Sequence, residues 1–190
     1  MTDRTTEPLP LDSPRWRELV HVYGSAEDTP DAIRRLENLE HIVWDDDGPL
    51  EEIASAIYHQ GDPNTGSYAT VPHLVRIAES RPPSQRFPLV LLCSWIEHYR
   101  TPSRPRIPRD LEGAYQRALM RAKEMAIEML AVPGASWGSH GYRFDFGQVL
   151  QAIADLAGER RLAFLLDHFD EFEFCYRKVH GDEHWPPWPE

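Results

Sequence analysis

Apolar residues recur along this chain at intervals of three and four, the spacing that gathers side chains on one face of an α-helix. Trp16, Leu19, Val20 and Tyr23 form the first such stripe, behind a Ser13-Pro14 start signal and ahead of a stop at Gly24. Thr29-Pro30 repeats the start signal before Ile33, Leu36 and Leu39. Asp47 is placed to cap a third helix carrying Leu50, Ile53, Ala54 and Ile57. The stretch His59-Gln60-Gly61-Asp62-Pro63-Asn64 has the composition of a turn. A fourth helix is expected from near Thr70 to Glu79, with Thr70 as its cap. A cap at Ser67 would put Pro72 where it costs a hydrogen bond. Ser84 opens a fifth helix that is apolar nearly all round and therefore belongs in the middle of the assembly.

Residues 100–109 hold four arginines and no acid, and their prolines preclude a helix, so they form an extended connector. Asp110 is expected to cap the longest helix, whose stripe runs from Leu111 through Tyr115, Ala118, Leu119, Ala122, Met125 and Ala126 to Met129. After a Gly-rich loop, Asp145 and Gln148 resemble a capping box ahead of Val149, Leu150, Ile153 and Ala154. Beyond Gly158 a last helix carries Leu162, Leu165, Leu166 and Phe169. Residues 1–10 read as a flexible N-terminus and residues 172–190 as a non-helical tail. The expected fold is all-α: one domain of about eight helices in stacked antiparallel hairpins, a HEAT-like α-solenoid, or else an irregular helical bundle.

Composition narrows the classes. A chain of 190 residues with 41% hydrophobic residues is enough for one cored domain and short for two. The most apolar stretch, Phe87 to Ile96, is about half a membrane span, and no signal peptide is recognisable. With Cys93 and Cys175 far apart, a reducing, cytoplasmic setting is expected. A net charge of −11 disfavours nucleic acid and anionic lipid as partners and favours a basic protein.

Trp44-Asp45-Asp46, Tyr58-His59-Gln60-Gly61-Asp62 and Ser67-Tyr68-Ala69-Thr70-Val71-Pro72-His73-Leu74-Val75 together resemble a family of uncharacterised bacterial HEAT-like repeat proteins. The resemblance covers roughly residues 10 to 80. It implies a binding scaffold, an architecture also used by some bacterial immunity proteins. Some family members end in a paired-cysteine knuckle, of which this chain has only Cys175.

Several constellations are chemically suggestive. The acids Asp45, Asp46, Asp47, Glu51 and Glu52 surround Trp44. Asp47, Glu51 and Glu52 suit a helix start, whereas Asp45 and Asp46 exceed that need and suggest a docking face with Trp44 as anchor. An alternative pocket would combine His59, Gln60, Asp62, Tyr68, His73 and His140 to bind a metal or ligand or to move a proton, although the spacing matches no zinc motif. Ser139, His140 and Asp145 are near neighbours in sequence with no strand before them, which is not the layout of a nucleophile elbow. No cofactor motif is present. The leading expectation is a non-enzymatic module that binds a basic protein, and its sharper form is an immunity protein against a basic toxin.

Overall fold

The computed structural model describes residues 6–44, 47–131 and 146–168, the side chains of Ser84 and Phe146 excepted. Seven α-helices dominate them: α1 (Thr29–Glu37), α2 (Pro49–Tyr58), α3 (Thr65–Glu79), α4 (Pro83–Tyr99), α5 (Glu112–Leu130), α6 (Phe146–Leu156) and α7 (Arg160–Asp167). Three 3-10 turns, at Pro14–Glu18, Ala26–Asp28 and His59–Gly61, and one small antiparallel hairpin complete the described chain. The protein is all-α in class.

Each helix packs mainly on the next and the next but one, so the chain advances as a stack. Helix α4 touches α3, α5 and α6, and its Phe87, Leu89, Val90, Leu91, Leu92, Cys93 and Ile96 are wholly buried. That central place is the one its all-round apolar pattern predicts. The stripe of α5 is likewise buried at Tyr115, Ala118, Leu119, Ala122, Met125, Ala126 and Met129.

The first predicted helix does not form. Ser13 does cap, accepting from the Arg15 amide, but the helical turn ends at Glu18 and Leu19 is extended. Strands β1 (Val20–His21) and β2 (Gly24–Ser25) follow, with Gly24 at φ +128°, a conformation glycine adopts without strain. Trp16 and Leu19 are buried as their spacing implies, whereas Val20 and Tyr23 are exposed.

Helix starts shift for local reasons. Thr29 lies inside α1, with Asp28 at the cap position. Gly48, not Asp47, precedes α2, because Pro49 already supplies a fixed first helical φ. Helix α3 begins at Thr65, five residues earlier than expected, since Asn64 and Ser67 form a reciprocal capping box. Pro72 is therefore interior to α3 and removes one helix hydrogen bond. The early first turn is used by the hairpin: the Val20 amide donates to Thr65 Oγ1. Gly66 lies so close that an added Cβ would sit 3.0 Å from the Val20 carbonyl oxygen and 3.0 Å from Ala26 Cβ. Helix α4 starts at Pro83, one residue before Ser84. Asp110 does not cap α5, which follows Leu111; its carboxylate instead accepts from Arg15 Nε at 3.0 Å.

On α6, Val149 and Ala154 are buried, and Ile153 packs against the core from a partly buried position. On α7, Leu162 and Leu165 are half-exposed rather than buried. The predicted cap at Asp145, the Gly-rich loop with His140, Phe169, Cys175 and the tail all lie outside the described residues.

Candidate functional site

A cleft of about 220 Å³ opens where the hairpin, the start of α1 and the outer face of α2 meet. Ala32, Ile53 and Ala56 give it an apolar lining, and His21, Tyr23, Asp28, Thr29, Glu52 and Ser55 supply polar groups. The backbone turn positions His21 first. Its Nδ1 accepts from the Tyr23 amide at 3.0 Å, so the neutral ring carries its proton on Nε2 and donates to Asp28 Oδ1 at 3.0 Å. His21 is thereby fully used and buried, and it holds one oxygen of an otherwise exposed Asp28 carboxylate.

Opposite, the Tyr23 and Ser55 hydroxyls share a hydrogen bond of 2.9 Å across the hairpin and α2. Glu52, in the first turn of α2, is bonded by Arg35 of α1, itself half-exposed. Thr29 is 3% exposed, and its hydroxyl has no hydrogen-bond partner among the described residues. A buried hydroxyl without a partner loses the hydration it would have in water. The cleft thus presents two carboxylates at its mouth, the mutually bonded Tyr23 and Ser55 hydroxyls and an apolar floor, with the Thr29 hydroxyl enclosed in its wall.

The sequence-derived acidic face is only partly available for docking. Trp44 is half-buried, donates from Nε1 to Glu51 at 2.7 Å, and meets Trp95 edge-on with ring centres 5.3 Å apart. Trp95 stacks on Tyr58, which meets Tyr99, so Trp44 ends an aromatic row running into the body. Glu51 is committed to that indole and Glu52 to Arg35, while Asp47 is exposed. Asp45 and Asp46 lie outside the described residues.

The residues of the alternative pocket are dispersed. His59 is exposed beside Tyr23, and Gln60 is exposed with φ +53°. Asp62 accepts from Arg104, which also donates to the Gly61 carbonyl. The Tyr68 hydroxyl donates to the Pro105 carbonyl at 2.9 Å, so the connector is fastened to this turn rather than loose. Arg100 likewise donates twice to Glu97, which also accepts from the Tyr115 hydroxyl. His73 points elsewhere: its Nε2–H donates to the Leu9 carbonyl at 2.9 Å and its ring lies by Trp16. Burial lowers its pKa from 6.5 to about 4, so the ring is neutral near pH 7. His140 lies outside the described residues.

A second buried pair was not picked out by sequence. His98 of α4 donates from Nδ1 to Asp155 Oδ1 of α6 at 2.7 Å, and the Asp155 side chain is wholly buried. The bond to Asp155 raises the pKa of His98, while burial raises that of Asp155. Among the described residues, no group of three or more His, Cys, Asp or Glu side chains is placed to hold a metal ion, and no helix is long and apolar enough to cross a membrane.

Of the cleft residues, only Glu52 belongs to the sequence-derived set. His21, Asp28 and Ser55 come from three elements, and one local signal bore on them: the Thr29-Pro30 start, which places an acid and a hydroxyl at the head of α1. Comparison with protein-family models, curated proteins and solved structures finds no match for this chain.

Proposed function

We propose that this protein is a non-enzymatic binding module for a basic protein, and that the cleft between the hairpin, α1 and α2 receives a lysine or arginine side chain of that partner. The observation carrying this reading is the cleft's composition: carboxylates of Asp28 and Glu52 at the mouth over an apolar floor. A long basic side chain matches both halves, its methylenes lying on Ala32, Ile53 and Ala56 and its cation reaching the acids. The net charge of −11 favours steered encounter with such a partner. An immunity-type role, occluding the basic cleft of a toxin, is the particular form we favour, and the HEAT-like resemblance is consistent with it.

Arg35 already neutralises Glu52, so an incoming cation competes with it. Removing Arg35 therefore strengthens binding, whereas Asp28→Asn with Glu52→Gln weakens it. The test is capture of partners from the native host with the wild type, Arg35→Ala and the double variant as baits. A stoichiometric basic protein, reduced on the double variant and released by salt, is expected. Equal retention on all three baits would move the site off this cleft.

A further inference from the structure

The cleft contains a histidine whose two ring nitrogens hold different elements. His21 Nδ1 accepts from the Tyr23 amide at 3.0 Å, within the turn of the hairpin. Its Nε2 donates at 3.0 Å to Asp28, the residue that precedes α1. Only the neutral ring makes both bonds, because Nδ1 needs its lone pair to accept an N–H. Turning the ring over would put carbons where the nitrogens stand and give up both contacts. The residue is buried, so water does not replace them.

A proton on His21 therefore acts on the cleft twice. Its Nδ1–H would face the Tyr23 N–H, donor against donor, and displace that amide. The same wall rests on α2, through the Val22 amide on the Ala56 carbonyl at 3.0 Å and the Tyr23 hydroxyl on Ser55, so the displacement reaches the cleft. The imidazolium also becomes a true ion-pair partner of Asp28, the carboxylate on which an incoming cation depends. Both effects oppose such a cation. The other charges around the hairpin are Glu52 of α2 with its partner Arg35 of α1, and the exposed His59, whose ring centre lies 6.1 Å from that of Tyr23. Arg17, whose carbonyl accepts from Ser25 of β2, is paired with Glu27, and α3 presents the uncharged Thr65 and Gly66.

We propose that His21 is an acid-operated release for the cleft: neutral, it leaves the charge of Asp28 available to a basic side chain, and protonated, it claims Asp28 and lets go of Tyr23. This rests on the reading of the cleft as a site for such a side chain. Histidine is the side chain that ordinarily changes charge between pH 5 and pH 8. The test is an NMR titration of the protein at pH 8 and pH 5.5 with a short peptide holding one arginine among glycines and serines, following the His21 ring nitrogens and the Tyr23 amide. As His21 takes up its proton, the Tyr23 amide proton is expected to move upfield to the position of an unbonded amide. Peptide affinity is expected to fall at least about fivefold, the low end of coupling between sites. His21→Gln keeps a donor for Asp28 and does not titrate, so the ratio of its affinities at the two pH values should be close to one, whereas His59→Gln should keep the wild-type ratio. Each variant is its own reference, and circular dichroism checks that it folds. Equal wild-type affinity at both pH values, a His21 ring still neutral at pH 5.5, a Tyr23 amide unmoved while His21 titrates, or the wild-type ratio persisting in folded His21→Gln would each overturn this inference alone. Absence of peptide binding at pH 8 would overturn the reading of the cleft, and this inference with it.

Discussion

His73 ties the stability of the fold to pH. The residue is 4% exposed, one ring nitrogen donates to Leu9, and the other is buried without a partner among the described residues. Protonation would put a charge where no acceptor waits. Because the folded pKa, about 4, lies below the unfolded value of 6.5, the contribution is complete above pH 6.5 and is lost as pH falls towards 4. The shift corresponds to about 3 kcal/mol. Urea unfolding at pH 7 and pH 4.5 is expected to show this loss in the wild type and a smaller one in His73→Phe. Gly61 is a second determinant: it has φ +73°, and an added Cβ would lie 2.6 Å from Tyr99 Cδ1. Gly61→Ala is therefore expected to destabilise by about 2–4 kcal/mol, combining backbone strain and overpacking. Tyr99→Ala in the same chain should recover the steric part and leave the backbone part, which a double-mutant cycle measures.

Among the elements, α2, α4 and α5 were legible because their apolar stripes are decided by burial alone, and burial is what the spacing records. Residues 16–23 carry the same spacing and form no α-helix: a 3-10 turn ends at Glu18 and the hairpin follows. There a hydrogen bond from His21 to Asp28, seven residues on, and the contact of Val20 with Thr65 set the backbone, and neither is visible to a local pattern. The start of α3 was misplaced for a different reason: avoiding an interior Pro72 looked decisive, but the Asn64–Ser67 box and the seat of Gly66 against Val20 outweigh one lost bond. The cleft was hidden because its members come from three elements, and His73 was drawn away from the His59–Asp62 turn by its bond to the Leu9 carbonyl, a partner 64 residues distant in sequence. The His98–Asp155 bond joins α4 to α6 and makes a prediction of its own. Asp167 and Glu97 raise the pKa of Asp155 beyond the effect of burial, Asp167 also raises that of His98, and Arg160 opposes the latter. Both members have raised folded pKa values, so the folded state holds more protons, and stability from this pair falls as pH rises through the folded value of His98. Hydrogen exchange in α6 is expected to become less protected from pH 6 to pH 9 after correction for intrinsic rate, and Asp155→Asn to flatten that dependence.

For the whole molecule, these two histidines act in opposite directions. His73 penalises acid and His98 penalises base, so together they place the stability maximum between the acid and the base limb. The stack of helices then serves as a rigid frame on which the hairpin, α1 and α2 build an acidic cleft. The central claim is that the acidic cleft takes a basic side chain. The most direct measurement is an NMR titration of the backbone amides with a short peptide carrying one arginine among glycines and serines, at low and high salt. Saturable shifts confined to Asp28–Ala32 and Glu52–Ala56, reduced by salt and abolished by Asp28→Asn with Glu52→Gln, are predicted. Shifts spread evenly over the acidic surface, or equal shifts with a peptide in which citrulline replaces arginine, would contradict it.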